Sequence, residues 1–155
     1  MEKKTKITAE NNRQEILITR TFDLPVNLLF KAYTIPELVE QWMGNSVLKL
    51  ENKEHGSYQF ETKDQQGNTL FRANGTIHKV IENQNITRTF EMENTPFPVQ
   101  LEFLDFEAID EESSKLTMKI IFKSVEDRDN MLKLPFAQGI NMAHNKLQKV
   151  ISQLK

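Results

Sequence analysis

The residues from which this chain would have to build chemistry are three histidines, two arginines set in apolar strand patterns, and two carboxylate clusters. His55, His78 and His144 stand in no metal-ligand spacing with one another or with a carboxylate, so no metal site is expected. Asp110-Glu111-Glu112 reads as a hairpin turn. Glu126-Asp127 reads as a helix start, where acids favour the dipole. Both are expected in solvated structural roles. Arg20 and Arg88 differ, because each falls on an otherwise apolar strand face. An inward guanidinium is costly unless paired, so each must reach the sheet edge, meet a Glu, or meet a ligand carboxylate. Both are therefore candidate polar anchors. His144 lies four residues after Ile140 and can flank the same apolar helix stripe.

No nucleophile elbow, phosphate loop or dinucleotide fingerprint is present, and glycine is scarce, at five. The absence of cysteine removes thiolate catalysis, disulfides and Cys-ligated zinc. Twenty-two acids against twenty bases give a formal charge of −2, which offers no reason to expect nucleic acid. With 38% apolar and 27% charged residues, the chain is globular rather than disordered. The first residues, MEKKTKITAENNRQ, contain no apolar core of a secretory signal, and no run approaches the roughly 18 apolar residues of a spanning helix. A cytoplasmic protein without membrane insertion is the expectation.

The elements that must position these residues follow from periodicity. Residues 1–14 are charged and aperiodic and are expected to form a mobile arm. Glu15–Phe22 alternates Ile16, Ile18, Arg20 and Phe22 against Leu17, Thr19 and Thr21, a strand pattern. Val26, Leu29, Phe30 and Tyr33 then recur at helical spacing after Pro25, with Asp23 placed to accept from the first amides. A second short helix runs from Pro36 through Trp42 to Gly44. Strands are expected at Val47–Leu50, Ser57–Lys63, Thr69–Val80, Ile86–Glu93, Val99–Ile109 and Lys115–Phe122. Ser124, with Asp127 three residues on, signals a helix start. Beyond Pro135, Phe136, Ile140, Ala143, Leu147, Val150 and Leu154 form an apolar stripe on a helix of about 20 residues. Such a stripe needs a wide apolar partner, and the inner face of the sheet supplies it. The predicted architecture is α+β: a curved antiparallel sheet of about seven strands, two short helices, and a long C-terminal helix gripped by the sheet.

Thr19, Arg20, Phe22, Pro25, Phe30, Ala32, Pro36, Glu37, Leu38 and Trp42 occur in the order found in one known group of proteins. On these residues the chain resembles the bacterial relatives of the activator of Hsp90 ATPase, within the START-like (Bet v 1-like, SRPBCC) superfamily. Gly56, Gly67, Gly75, Gly139 and Leu147 extend the similarity to about residues 15–154. The resemblance implies a single START-like domain over residues 15–155, a helix-grip fold, and in some members binding of hydrophobic small molecules. Two departures, Trp42-Met43-Gly44-Asn45 and Gly139-Ile140, fall where they would reshape an internal cavity.

Function is then expected from the container. A helix-grip sheet does not close completely on its helix, so an apolar cavity is expected beneath it. Its candidate lining is Trp42, Tyr58, Phe60, Phe71, Phe90, Phe103, Met118, Phe136, Ile140 and His144, with Arg20 and Arg88 as anchors. The expected activity is binding of an apolar or amphipathic, lipid-like molecule, without cofactor, by a monomer or weak homodimer. A surface-acting co-chaperone is the alternative that the resemblance implies, although the extra N-terminal domain of a full co-chaperone is not expected here. A cyclase- or hydrolase-type enzyme would need an acid–base pair in the cavity. The sequence offers His144, Arg20 and Arg88 for it with no obvious carboxylate partner, so binding without chemistry is preferred.

Overall fold

The structure, a computed structural model, describes residues 4–155. Its elements in chain order are β1 (Lys6–Thr8), β2 (Glu15–Phe22), α1 (Val26–Thr34), α2 (Pro36–Met43), β3 (Ser46–Leu50), β4 (Ser57–Lys63), β5 (Thr69–Ile81), β6 (Asn85–Met92), β7 (Gln100–Ala108), β8 (Ser114–Ile121), α3 (Val125–Leu132) and α4 (Phe136–Ser152). The eight strands form one antiparallel sheet in the order β1-β2-β8-β7-β6-β5-β4-β3. All strands after β2 pair in hairpin succession, and β2 returns beside β8.

The period-2 pattern dictates which face is covered. In β2, Ile16, Ile18, Arg20 and Phe22 are buried, while Leu17, Thr19 and Thr21 on the other face keep partial exposure. β8 repeats this with Leu116, Met118 and Ile120, followed by Phe122. Register joins these rows into one concave surface: Ile18 faces Met118, which faces Leu104. α1 lies against β7 and β8, α3 against β2, and α4 against the other three helices. Leu147 and Ile151 of α4 are fully buried in the same cluster as Ile16, Ile18 and Leu104.

Pairing with β2 gives the eighth strand: Lys6 faces Thr19, and Thr8 faces Leu17. Part of the segment expected as a mobile arm is therefore an edge strand; residues 1–3 lie outside the described residues. Nothing local announces three residues as a strand, and what selects them is the open edge of β2. Arg128 supports the turn that follows. Its buried guanidinium donates from Nη1 to the carbonyls of Glu10 (2.6 Å) and Glu15 (3.3 Å) and from Nη2 to Asp129 (2.7 Å).

Helix boundaries follow their caps. α1 starts on Pro25, whose carbonyl accepts from Leu28 and Leu29; no side chain caps it. The Asp23 N–H donates to Gln148 of α4 (2.8 Å). α2 stops at Gly44, whose φ of +69° suits a residue without Cβ. α3 opens with the expected box: Ser124 Oγ accepts from the Asp127 N–H at 3.1 Å and donates to Asp127 Oδ2 at 2.9 Å. Ser124→Ala is expected to lower unfolding stability by about 1 kcal/mol, measured by urea titration. Pro135 separates α3 from α4, which runs 17 residues rather than about 20.

Gly75 in β5 answers a close approach. A Cβ there would stand 2.0 Å from the Thr89 carbonyl oxygen and 2.6 Å from the Tyr58 ring. The missing side chain lets Tyr58 lie flat across the strand and place its hydroxyl on Thr89.

Candidate functional site

The concave face carries two buried polar clusters, and they are separate. Arg20 is on β2 and Arg88 on β6, three strands apart in the sheet order. They cannot serve as paired anchors for one small head group.

The first cluster is centred on Arg88. β6 and β7 are in register with Arg88 opposite Glu102 and Phe90 opposite Gln100. Arg88 Nε donates to Glu102 Oε1 at 2.9 Å, and Gln100 Nε2 donates to Glu102 Oε2 at 2.8 Å. The Arg88 and Glu102 side chains retain 9% and 5% exposure. The guanidinium carbon lies 5.1 Å from the centre of the Tyr58 ring, a cation–π contact. Tyr58 donates its hydroxyl proton to the Thr89 carbonyl at 2.5 Å. Tyr33, buried on α1, lies within electrostatic reach of both Arg88 and Glu102. Burial raises the pKa of both phenols against the opposing pull of Arg88, so they remain neutral donors. The terminal nitrogens of Arg88 and the Tyr33 hydroxyl have no hydrogen-bond acceptor among the described residues.

The second cluster ties the first strand to the last helix. Arg20 Nη1 donates to Thr5 Oγ1 and to Asn141 Oδ1, each at 3.3 Å, and the Thr5 N–H donates to Asn141 Oδ1 at 3.0 Å. Thr5 Oγ1 stands 2.7 Å from His144 Nδ1. Arg20 can only donate, so Thr5 accepts from it and offers its own proton to Nδ1. The ring of His144 meets Phe22 edge-on at 5.5 Å, and Arg20 lies over the same Phe22 at 5.3 Å. Burial, then the charge of Arg20, lowers the His144 pKa to about 4. His144 thus faces β1 and β2, where it holds Thr5, rather than an open space.

The other predicted residues divide by face. Tyr58, Phe60 and Met118 are buried in the core. Trp42 is buried between helices, donating Nε1–H to Ala32 O at 2.7 Å with its ring 5.1 Å from that of Tyr33. Phe71 shares the concave side by its register with Thr62, but remains half-buried outside the core cluster. Phe90, Phe136 and Ile140 pack against the core while staying half-buried. Phe103 does not line the concave face. It alternates with the buried Glu102, Leu104 and Phe106 and so stands on the opposite side of β7. β7 carries apolar residues on both faces, which hides the phase of its alternation, and a one-residue shift inverts every side chain. The same shift hides the missed residues of the site, Gln100 and Glu102. Their signal is the buried arginine opposite, which requires a counter-charge.

Elsewhere, His55 and His78 are exposed, as are Asp110, Glu111 and Glu112. A hollow of about 110 Å³ at the β1–β2 turn, lined by Thr8, Glu10, Arg13, Glu15 and Leu17, contains none of the predicted residues. Among the described residues no cluster of three or more His, Cys, Asp or Glu could hold a metal, and no helix is long and apolar enough to cross a membrane.

Comparison with known proteins places this geometry. Residues 23–152 match the family described as Activator of Hsp90 ATPase homolog 1-like protein. The chain belongs to that family. The match begins directly after β2, so it takes in Arg88, Glu102 and His144 but not Arg20. The fold of this family member agrees with solved structures of bacterial proteins. One from Rhodobacter sphaeroides superimposes with a TM-score of 0.85 at 16% identity, covering 96% of this chain and 99% of the other. One from Mycobacterium smegmatis gives 0.83 at 19% identity, covering 95% and 96%. A solution structure from Staphylococcus epidermidis gives 0.79 at 24% identity, covering 96% and 95%. At these identities the likeness concerns the fold alone. No curated protein matches the chain.

Proposed function

We propose that the protein binds an apolar or amphipathic small molecule between the concave sheet and the N-terminal half of α4. The observation that carries this reading is the state of Arg88. A guanidinium more than nine-tenths buried lies over the Tyr58 ring and, among the described residues, hydrogen-bonds through Nε, with both terminal nitrogens left to donate. These nitrogens are not among the fully closed-off atoms of the described residues, so they keep some accessible surface, and a ligand or water can reach them and accept.

The gradient of burial along α4 supports the same place. Leu147 and Ile151, in its C-terminal half, are fully buried. Phe136, Ile140 and Ala143, on the same stripe nearer its start, keep partial exposure. Phe90, Met92 and Phe97, around the far ends of β6 and its loop, are also half-buried. Apolar walls around a few convergent polar groups are the usual composition of a small-molecule site.

The reading is tested with N-phenyl-1-naphthylamine, an uncharged apolar fluorophore. Ile140→Trp is expected to weaken its binding at least tenfold while thermal unfolding stays cooperative. Met142→Trp, on the exposed side of the same helix, is expected to leave binding unchanged. Undiminished binding by a folded Ile140→Trp protein would remove this proposal.

A further inference from the structure

The charges and donors around Arg88 define what the polar end of the molecule must be, an inference that rests on the binding reading above. The argument begins with charge. Arg88 and Glu102 are both more than nine-tenths buried and paired at 2.9 Å, so the cluster is already neutral. A ligand carboxylate would leave one net negative charge in the interior beside Glu102. A ligand ammonium would leave one net positive charge beside Arg88. Neither gains a new counter-ion in return for losing its water.

Hydrogen-bonding capacity narrows the choice further. Each oxygen of Glu102 already holds a donor, Arg88 Nε on one and Gln100 Nε2 on the other. Tyr58 has given its proton to Thr89. What remains among these residues is mostly donors, the N–H groups of the two Arg88 terminal nitrogens and the Tyr33 hydroxyl, beside the amide oxygen of Gln100. A planar guanidinium backed by the Tyr58 ring presents these N–H groups in one fixed plane.

We infer that the site recognises an uncharged hydrogen-bond acceptor, a ketone, ester or amide carbonyl, on an otherwise apolar body, with Arg88 donating to the carbonyl oxygen. Glu102 neutralises Arg88 and thereby excludes carboxylates of the same shape. Gln100 fixes Glu102 in that role.

The test uses three naphthalene fluorophores of matched size, bearing a propanoyl ketone, a propanoate or a propyl chain at one position. Fluorescence titration of the wild-type protein is expected to give a dissociation constant for the ketone at least tenfold below those of the other two. Glu102→Gln uncovers the charge of Arg88 and is expected to reverse the order, with the carboxylate at least tenfold tighter than the ketone. Tyr33→Phe is expected to weaken the ketone about threefold without affecting the propyl compound, and it decides the case if Glu102→Gln fails to fold. Equal binding of ketone and propyl compound would overturn the carbonyl inference and leave the binding reading standing. A wild-type preference for the carboxylate would overturn it equally. Binding of none of the three would overturn the binding reading itself and this inference with it.

Discussion

Arg88→Met is expected to destabilise the protein by about 3–5 kcal/mol, and adding Glu102→Leu to it is expected to restore at least half of that loss. The asymmetry comes from what each change leaves behind. Methionine fills much of the arginine stem's volume beside Tyr58 and opposite Ile77, so packing changes little. It removes the cation that pairs with Glu102, whose side chain keeps 5% exposure and, among the described residues, Gln100 as its remaining donor. A carboxylate so placed has lost its water and its counter-charge together. Replacing both residues removes the problem, because two apolar side chains suit the cross-strand row in which Ile77 faces Arg88 and Ile120 faces Glu102. Urea unfolding of wild type, both single variants and the double variant gives the coupling directly. Additive effects would show that Arg88 and Glu102 do not depend on each other and would weaken the charge argument made for ligand choice.

How far the sequence reveals this site depends on how cleanly each strand alternates. β2 sets β-branched and aromatic residues against threonines, and its buried face is legible from Ile16 to Phe22. β4, β6 and β8 behave likewise, which is why Tyr58, Phe60, Arg88 and Met118 are placed on the correct side. In β7 the two faces read Gln100, Glu102, Leu104, Phe106 and Leu101, Phe103, Asp105, each a mixture of polar and apolar. Local pattern cannot choose between them, and the choice is made by partners. Arg88 on β6 needs Glu102, and Leu104 must meet Met118 and Ile86. The helix order, the Ser124 cap, the Gly44 stop and the α4 stripe are local signals and are read correctly. β1 and the Arg128 clamp are not local: three residues gain strand geometry only from the free edge of β2, and Arg128 reaches carbonyls more than a hundred positions away. The same distinction explains His144. Its place on the apolar side of α4 is legible from spacing, but its partner Thr5 lies in a segment without periodicity.

That partnership has a pH consequence of comparable size. Above pH 6.5 His144 is neutral both in the folded chain and, by its ordinary pKa of 6.5, in the unfolded one. Folding lowers the pKa to about 4, first through burial and then through the positive charge of Arg20. Between these values the unfolded chain takes up a proton that the folded chain refuses, so stability falls as the pH falls from 6.5 towards 4 and is regained on returning to neutrality. A displacement of this size corresponds to about 2–3 kcal/mol lost by pH 4.5, counting 1.36 kcal/mol per unit. Carboxylates also titrate in this window, so the measurement is a difference. His144→Gln keeps a side-chain acceptor for Thr5 but does not titrate. Its unfolding free energy is expected to fall by about 2 kcal/mol less than that of wild type between pH 7 and pH 4.5. Protonated His144 would have to point a second cation at Arg20 and give up the proton offered by Thr5. The loss should therefore appear first in β1, as faster amide exchange at Ile7 and Thr8 below pH 5 in wild type alone. Equal acid sensitivity of the two proteins would mean that His144 reaches solvent before the fold yields, and that the Thr5 contact is not what holds β1 to the sheet.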